Sequence, residues 1–312
     1  MNKLFFIITA LSLVACASQE RGTFTGGVPA VSPVPSIHTT PNGVTGTVVS
    51  AHNPNSQLLS EENFTSSNYP IGSNLSGANP AVTGYSGSWV YDSSDSSASS
   101  DGVGRGIVTS GPLTYPGMGS SGNTVVSSSG SWIVSRSLDT AGVFNSFTDS
   151  SGTIGKPGTT LYMSVLLNLK TQPFALNESI RLTNGLFGSS GSKTGVGGIY
   201  LGYSPLQSGK DFSVFLTDLT GNPISGTIGD LGAVQQGATN LFVIKVQFGL
   251  TGKDTVSFYR NSTTESNPAF VVTTTGLNYN ALSLLRTGAG SGMLEVSDIC
   301  FGSSYASVVV PK

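Results

Sequence analysis

Histidine is almost missing from this chain. Among 312 residues there are two, His38 and His52, and both precede the first β-like pattern. From Leu58 onward there is none. That argues against a Ser-His-Asp or Cys-His site in the body of the protein, and against a His-ligated zinc or copper site. Charge is scarce as well: Asp, Glu, Lys and Arg make up 10% of the chain, with a formal net charge of −2. The Lys and Arg residues are scattered singly from Lys3 to Lys312, so no basic stripe exists to meet nucleic acid. Solubility must rest on Ser, Thr, Asn and Gly. No segment shows a sustained helical period, and no internal repeat is visible. The apolar run Leu4 to Leu13 is too short to span a bilayer as a permanent helix.

What is present begins with that run. Lys3 precedes it and Leu13-Val14-Ala15-Cys16 ends it. The ending resembles the lipobox of bacterial lipoproteins, which implies a signal peptide over 1–16, diacylation of Cys16 and a membrane partner through that lipid. Ala17 rather than Asp after the cysteine implies outer-membrane placement. Ordinary secretion with cleavage after Ala17 is the alternative. An acylated Cys16 leaves Cys300 without a partner. Its setting, Ile299-Cys300-Phe301, predicts a buried, inert thiol. Residues 17–57 run through Pro- and Gly-rich sequence with no period and read as a flexible tether, with a reach of about 35 Å. A small β-module around Val44 to Val49 is the other reading.

Beyond Leu58 the period becomes 2. Leu161, Met163, Val165, Leu167 and Leu169 alternate with more polar residues, and Phe242, Ile244, Val246 and Phe248 do the same. Val256 and Phe258 follow the turn Gly252-Lys253-Asp254, which predicts an antiparallel hairpin. Shorter strands are expected at Ile107–Val108, Trp132–Val134, Ile199–Leu201, Phe212–Leu216, Phe270–Thr274, Leu282–Leu285, Leu294–Phe301 and, last, Tyr305–Val310. About a dozen strands without crossover helices mean an all-β, antiparallel two-sheet sandwich or jelly roll over 58–312.

Five short motifs in order resemble the laminin G-like, concanavalin A-like jelly-roll domains of exported bacterial proteins. They are Glu62-Asn63-Phe64 with Tyr69-Pro70-Ile71-Gly72; the Gly-rich turn Gly84-Tyr85-Ser86-Gly87-Ser88-Trp89; Leu113-Thr114-Tyr115-Pro116-Gly117-Met118; Lys253-Asp254-Thr255-Val256; and Val296 to Ala306 as the closing strand. In that last strand Ser297, Asp298 and Cys300 replace the family's Asp, Glu and Arg. The resemblance implies architecture; the fold hosts lectins, hydrolases, lyases and structural modules alike.

Candidate chemistry is thin. Glu295 and Asp298 are the nearest approach to the carboxylate pair of sandwich glycosidases, but a spacing of three puts them on opposite faces of a regular strand. The segment from Gly188 to Gly195 mimics serine-lysine and P-loop motifs yet reads as a hairpin loop. Asp92, Asp95 and Asp101 sit in one serine-rich loop and are the candidate calcium ligands, the single cofactor considered. Trp89 and Trp132 suit either a sugar-stacking face or the core, and the area a tryptophan buries favours the core. Trp89 is kept with Tyr85, Tyr91 and Tyr115, which lie in loop-like sequence, as a candidate glycan-binding aromatic. These features predict a lipid-anchored, non-catalytic module binding a glycan or other surface polymer. A structural envelope protein without a small-molecule site is the alternative, and a glycan-cleaving enzyme the third reading.

Overall fold

The computed structural model describes residues 57–91, 106–126, 132–171, 177–186, 198–203, 211–218, 223–287 and 293–309. The expected leader with Cys16, the expected tether up to residue 56, the serine-rich stretch with Asp92, Asp95 and Asp101, and the Gly188–Gly195 segment lie outside them. Among the described residues fifteen strands occur in chain order: β1 (Leu58–Glu62), β2 (Tyr85–Tyr91), β3 (Ile107–Ser110), β4 (Asn123–Val126), β5 (Trp132–Leu138), β6 (Thr160–Thr171), β7 (Asn177–Thr183), β8 (Gly198–Tyr203), β9 (Asp211–Thr217), β10 (Gly229–Ala233), β11 (Thr239–Gln247), β12 (Lys253–Arg260), β13 (Phe270–Thr275), β14 (Ala281–Thr287) and β15 (Met293–Gly302). A single helical turn, α1 (Tyr305–Val308), follows.

The strands form two antiparallel sheets, the two layers of a jelly-roll sandwich. One runs β13-β12-β11-β6-β15-β4-β3, with β1 also paired to β15; the other runs β10-β9-β8-β7-β14-β5-β2. The period-2 apolar sets turn inward, so Val165, Phe242, Phe258 and Ile299 of the first sheet meet Val134, Leu182, Phe212 and Leu284 of the second in one core. β6 lies between β11 and β15 and is buried on both faces. Its inward residues join the core, while Tyr162 and Leu166 join a second cluster with Leu113, Leu241, Tyr259 and Cys300 on the outer face. Tyr115 and Met118 pack against that cluster, so the segment between β3 and β4 lies over the outer face of this sheet.

Four expectations need correcting. Over its described part, residues 305–309, the expected closing strand is absent. Ser304 and Ser307 form a reciprocal cap that starts α1, and Tyr305 donates to the Ser262 carbonyl at 2.9 Å. Packing and capping outweigh the β-propensity of the valines. Tyr85–Trp89 is not a turn but most of β2, with a bulge between Ser86 and Val90 where Gly87 takes a φ of 67°. β7 went unread because its inward Glu178 and outward Arg181 break the apolar alternation, although both are buried. Finally, β15 is not regular: its register slips between Ser297 and Cys300, and Asp298 sits at φ 48°. The extra residue shifts the phase, so Glu295, Ser297, Asp298 and Cys300 all address the outer side.

Candidate functional site

The motif residues at the chain's start converge on one buried polar knot. Glu62, last in β1, accepts a hydrogen bond from the Tyr69 hydroxyl at 2.6 Å and from the Phe64 N–H at 3.1 Å. Arg136, on the inward side of β5, reaches Glu62 at 3.4 Å and the Tyr69 oxygen at 3.2 Å. Its remaining N–H groups close the carbonyls of Gly87 and Pro80. Trp89 donates its indole N–H to the same Tyr69 oxygen at 3.1 Å. Burial pushes the Glu62 carboxyl above its ordinary range, opposed by the hydrogen bonds from Tyr69 and Phe64 and by the Arg136 charge. Glu62 and Arg136 are each 1% exposed, so the knot joins β1, β2 and β5 without facing a ligand.

Two of the four candidate aromatics are buried. Trp89 is 1% exposed, and Tyr85, 7% exposed, lies under the Arg136 guanidinium at 5.2 Å. A β-strand's inward face holds them where loop-like Gly and Ser neighbours suggested exposure. Tyr91, at the end of β2, is half-buried against the core. Tyr115 is half-buried beside Met118, and that burial raises its hydroxyl. Trp132 belongs to the core, as its alternation with Val134 suggests. Cys300 is buried and its thiol is pushed up to about 12, so it stays a thiol at neutral pH.

The carboxylates near the closing strand have separate partners. Glu295 is held by Lys170 at 3.0 Å and by the Asn168 amide at 3.1 Å. Asp298 accepts from the Ser297 hydroxyl at 3.1 Å and the Ser121 N–H at 3.5 Å, and burial raises its carboxyl to about 6. Glu178 faces Arg286 across the inward side at 3.5 Å. On the opposite side of that sheet the register aligns Arg181, Tyr200 and Phe215 across β7, β8 and β9. The guanidinium lies 3.5 Å from the Tyr200 ring centroid, and that ring stacks on Phe215 at 4.3 Å. All three are buried.

Two open clefts lie among the described residues. A shallow groove of about 350 Å³ runs along β1 past Ser60, Glu61, Asn63, Asn68 and Thr83. A deeper cleft of about 270 Å³ lies where the sheets part at the ends of β9 and β13. Leu216, Ile224 and Leu277 give it apolar surface, and Thr217, Asp218, Thr274, Thr275 and Asn278 supply hydroxyls, one carboxylate and one amide. Asn278 is fixed by the Asn184 amide at 2.6 Å, and Asp254 accepts the Leu277 N–H at 2.9 Å, so the β13–β14 wall is braced. Apolar lining with a few fixed polar groups is the usual make-up of a small-molecule site, and the volume is just below the range of that class. No residue of this cleft was singled out from sequence as a site residue; isolated Thr, Asp and Asn at strand ends and in turns carry no periodic or spacing signal.

No protein-family model matches the sequence, and no curated protein matches it. Among solved structures, it is similar to endo-β-1,4-glucuronan lyase from the fungus Trichoderma reesei, at 10% identity and a TM-score of 0.42 over 71% of this chain and 98% of that one. A glycosyl hydrolase family 16 protein from Mycobacterium smegmatis gives 12% and 0.42 over 78% and 100%. The globular domain of T. cruzi calreticulin gives 10% and 0.44 over 71% and 86%. The fold assignment rests on the two-sheet topology itself.

Proposed function

We propose that this protein is an exported, lipid-anchored, non-catalytic module that binds a neutral surface polysaccharide, or its chain end, in the cleft between β9 and β13. The observation that carries this reading is the chemistry of that cleft: hydroxyls, one amide and a single carboxylate over aliphatic surface. Such groups hydrogen-bond to sugar hydroxyls, whereas glycoside hydrolysis in most families uses two carboxyl groups about 5 to 9.5 Å apart. Support also comes from the commitments of carboxylates elsewhere. Glu62, Glu178, Glu265 and Glu295 each face a cation, and Asp149 and Asp254 close turns through backbone N–H groups. Binding of the full chain to a polysaccharide panel tests the reading. Asp218→Ala should weaken capture by about tenfold, the value of one charged hydrogen bond, with an unchanged melting temperature. Equal binding by the variant sinks the site; reducing ends released from the polymer sink the non-catalytic reading.

A second reading, a packing module of the envelope without a ligand, is favoured by one observation. The large exposed hydrophobic side chains among the described residues are Leu58, Ile71, Leu250 and Val271, none aromatic. Under that reading no polysaccharide in the panel is retained.

Anchoring follows from Leu13-Val14-Ala15-Cys16 and is part of the proposal. Wild-type protein should partition with membranes, and Cys16→Ser should shift it to the soluble or unprocessed form on fractionation. A wild-type protein that is wholly soluble, with an unacylated N-terminus at Ser18, overturns the anchor.

A further inference from the structure

We propose that β13 is the surface through which two copies of this chain associate, its free edge pairing antiparallel with its counterpart across a two-fold axis at Thr273. β13 ends one sheet, and among the described residues β12 is its one strand partner. A strand at the edge of a sheet leaves the N–H and C=O of alternate residues unpaired, and that row is a template for another strand. The register of β13 with β12 runs from Phe270 to Thr275 without a slip. The strand holds no charge and no proline, and five of its six residues are β-branched. Val272 turns into the core, while Val271, Thr273 and Thr275 are exposed. Val271, at 47%, is one of the four large apolar side chains left in solvent among the described residues.

The other edges carry devices that stop a strand from pairing. The segment 72–75 runs along β3: the Gly72 N–H donates to the Val108 carbonyl at 2.8 Å, and the Val108 N–H to the Ser73 carbonyl at 3.0 Å. β2 is bulged, and Trp89 exchanges backbone bonds with Gly77 and Ala78 at 2.8 Å. β10 is bulged between Asp230 and Ala233, and Arg260 takes the carbonyls of Leu231, Gly232 and Ala233 at 2.7 to 2.8 Å. β1, off the main path, has a register slip between Leu58 and Ser60 and carries Glu61 and Glu62. Bulges, charges and covering segments are the usual protection of sheet edges. β13 has none of them.

A second copy is the occupant that the strand itself specifies. The exposed positions 271, 273 and 275 are symmetric about Thr273. Antiparallel pairing centred there sets Thr273 against Thr273 and Val271 against Thr275, with opposed side chains on the same face. No like charges meet, because the strand has none. A two-fold contact uses the same patch on both copies, so it consumes both free edges and the assembly closes at two. The register also sets the second copy's Val271 beside Thr275, which lines the cleft at β9 and β13. A contact made by one strand pair is at the small end of specific interfaces, so the dimer should be reversible, with a Kd in the micromolar range.

Sedimentation of the full chain carrying Cys16→Ser, which keeps lipid out of the association, tests this. Concentration-dependent dimers are expected, with no larger species. Thr273→Lys and Thr273→Glu should each weaken dimerisation by about tenfold or more, since like charges then face each other across the axis. The side chain is exposed, so the melting temperature should not change, and an equimolar mixture of the two variants should recover the dimer. Cys300 is buried, so a thiol introduced on β13 is the reactive one. Thr273→Cys should give a covalent dimer on mild oxidation, whereas Val271→Cys should do so only when mixed with Thr275→Cys. A parent chain that stays monomeric across the micromolar range overturns the proposal, as does a dimer that either charged variant leaves intact or a mixture that fails to recover it. Absence of the Thr273→Cys link overturns it even where a charged variant fails to fold.

Discussion

Arg136→Ala should cost roughly 3–5 kcal/mol, because it strips the cation from a buried ion pair and leaves an uncompensated charge behind. The guanidinium closes four acceptors at once: Glu62, the Tyr69 oxygen, and the Gly87 and Pro80 carbonyls. Alanine leaves all of them in place around a buried cavity, without the guanidinium that satisfied them. The penalty should also depend on pH. Burial already raises the Glu62 carboxyl, and losing the Arg136 charge removes one of the effects that lowers it. A carboxyl raised in the folded state takes up a proton more readily there than in the unfolded chain. Stability is therefore lost as pH rises through the folded-state value, and retained below the unfolded one. Denaturant unfolding should show Arg136→Ala closer to wild type at pH 4.5 than at pH 7.5. A variant within about 1 kcal/mol of wild type at both pH values would mean that the knot contributes no more than an exposed pair.

Trp89→Ala should cost a similar amount, about 3–5 kcal/mol, from the cavity left by a core indole. Trp89 is 1% exposed and its N–H is spent on Tyr69. Trp89→Phe keeps most of the volume but loses that donor and should cost about 1–2 kcal/mol. Thermal melts of the two variants separate a core residue from a sugar-stacking one. A stacking residue would leave the melting temperature alone and reduce binding. An unchanged melt for Trp89→Ala would return it to the list of ligand contacts.

The difference between what was legible and what was not is physical. Alternation of apolar residues in β6 and β11 is a local property, since a strand's side chains leave its two faces in turn. Fold class followed from that, the hairpin at Gly252-Lys253-Asp254 from the same alternation with its turn residues, and the buried Cys300 from its apolar neighbours Ile299 and Phe301. The same rule misled at Glu295 and Asp298: an inserted bulge residue resets the phase, and bulges have no sequence period. Glu62, Tyr69, Trp89 and Arg136 were visible only as separate family-like motifs or not at all. Up to 74 positions separate the knot's members, and only sheet pairing makes them neighbours. β7 and α1 were likewise decided by tertiary partners: Glu178 is tolerated in a strand because Arg286 comes to meet it, and Ser304 outbids a valine run by capping. The cleft at β9 and β13 belongs wholly to the second kind. Its walls come from two sheets, so nothing local in either stretch marks it. The sequence by itself determined the strands' faces and hence the sandwich; which polar side chains meet inside it, and where the sheets part to leave a cleft, depended on contacts between residues far apart along the chain.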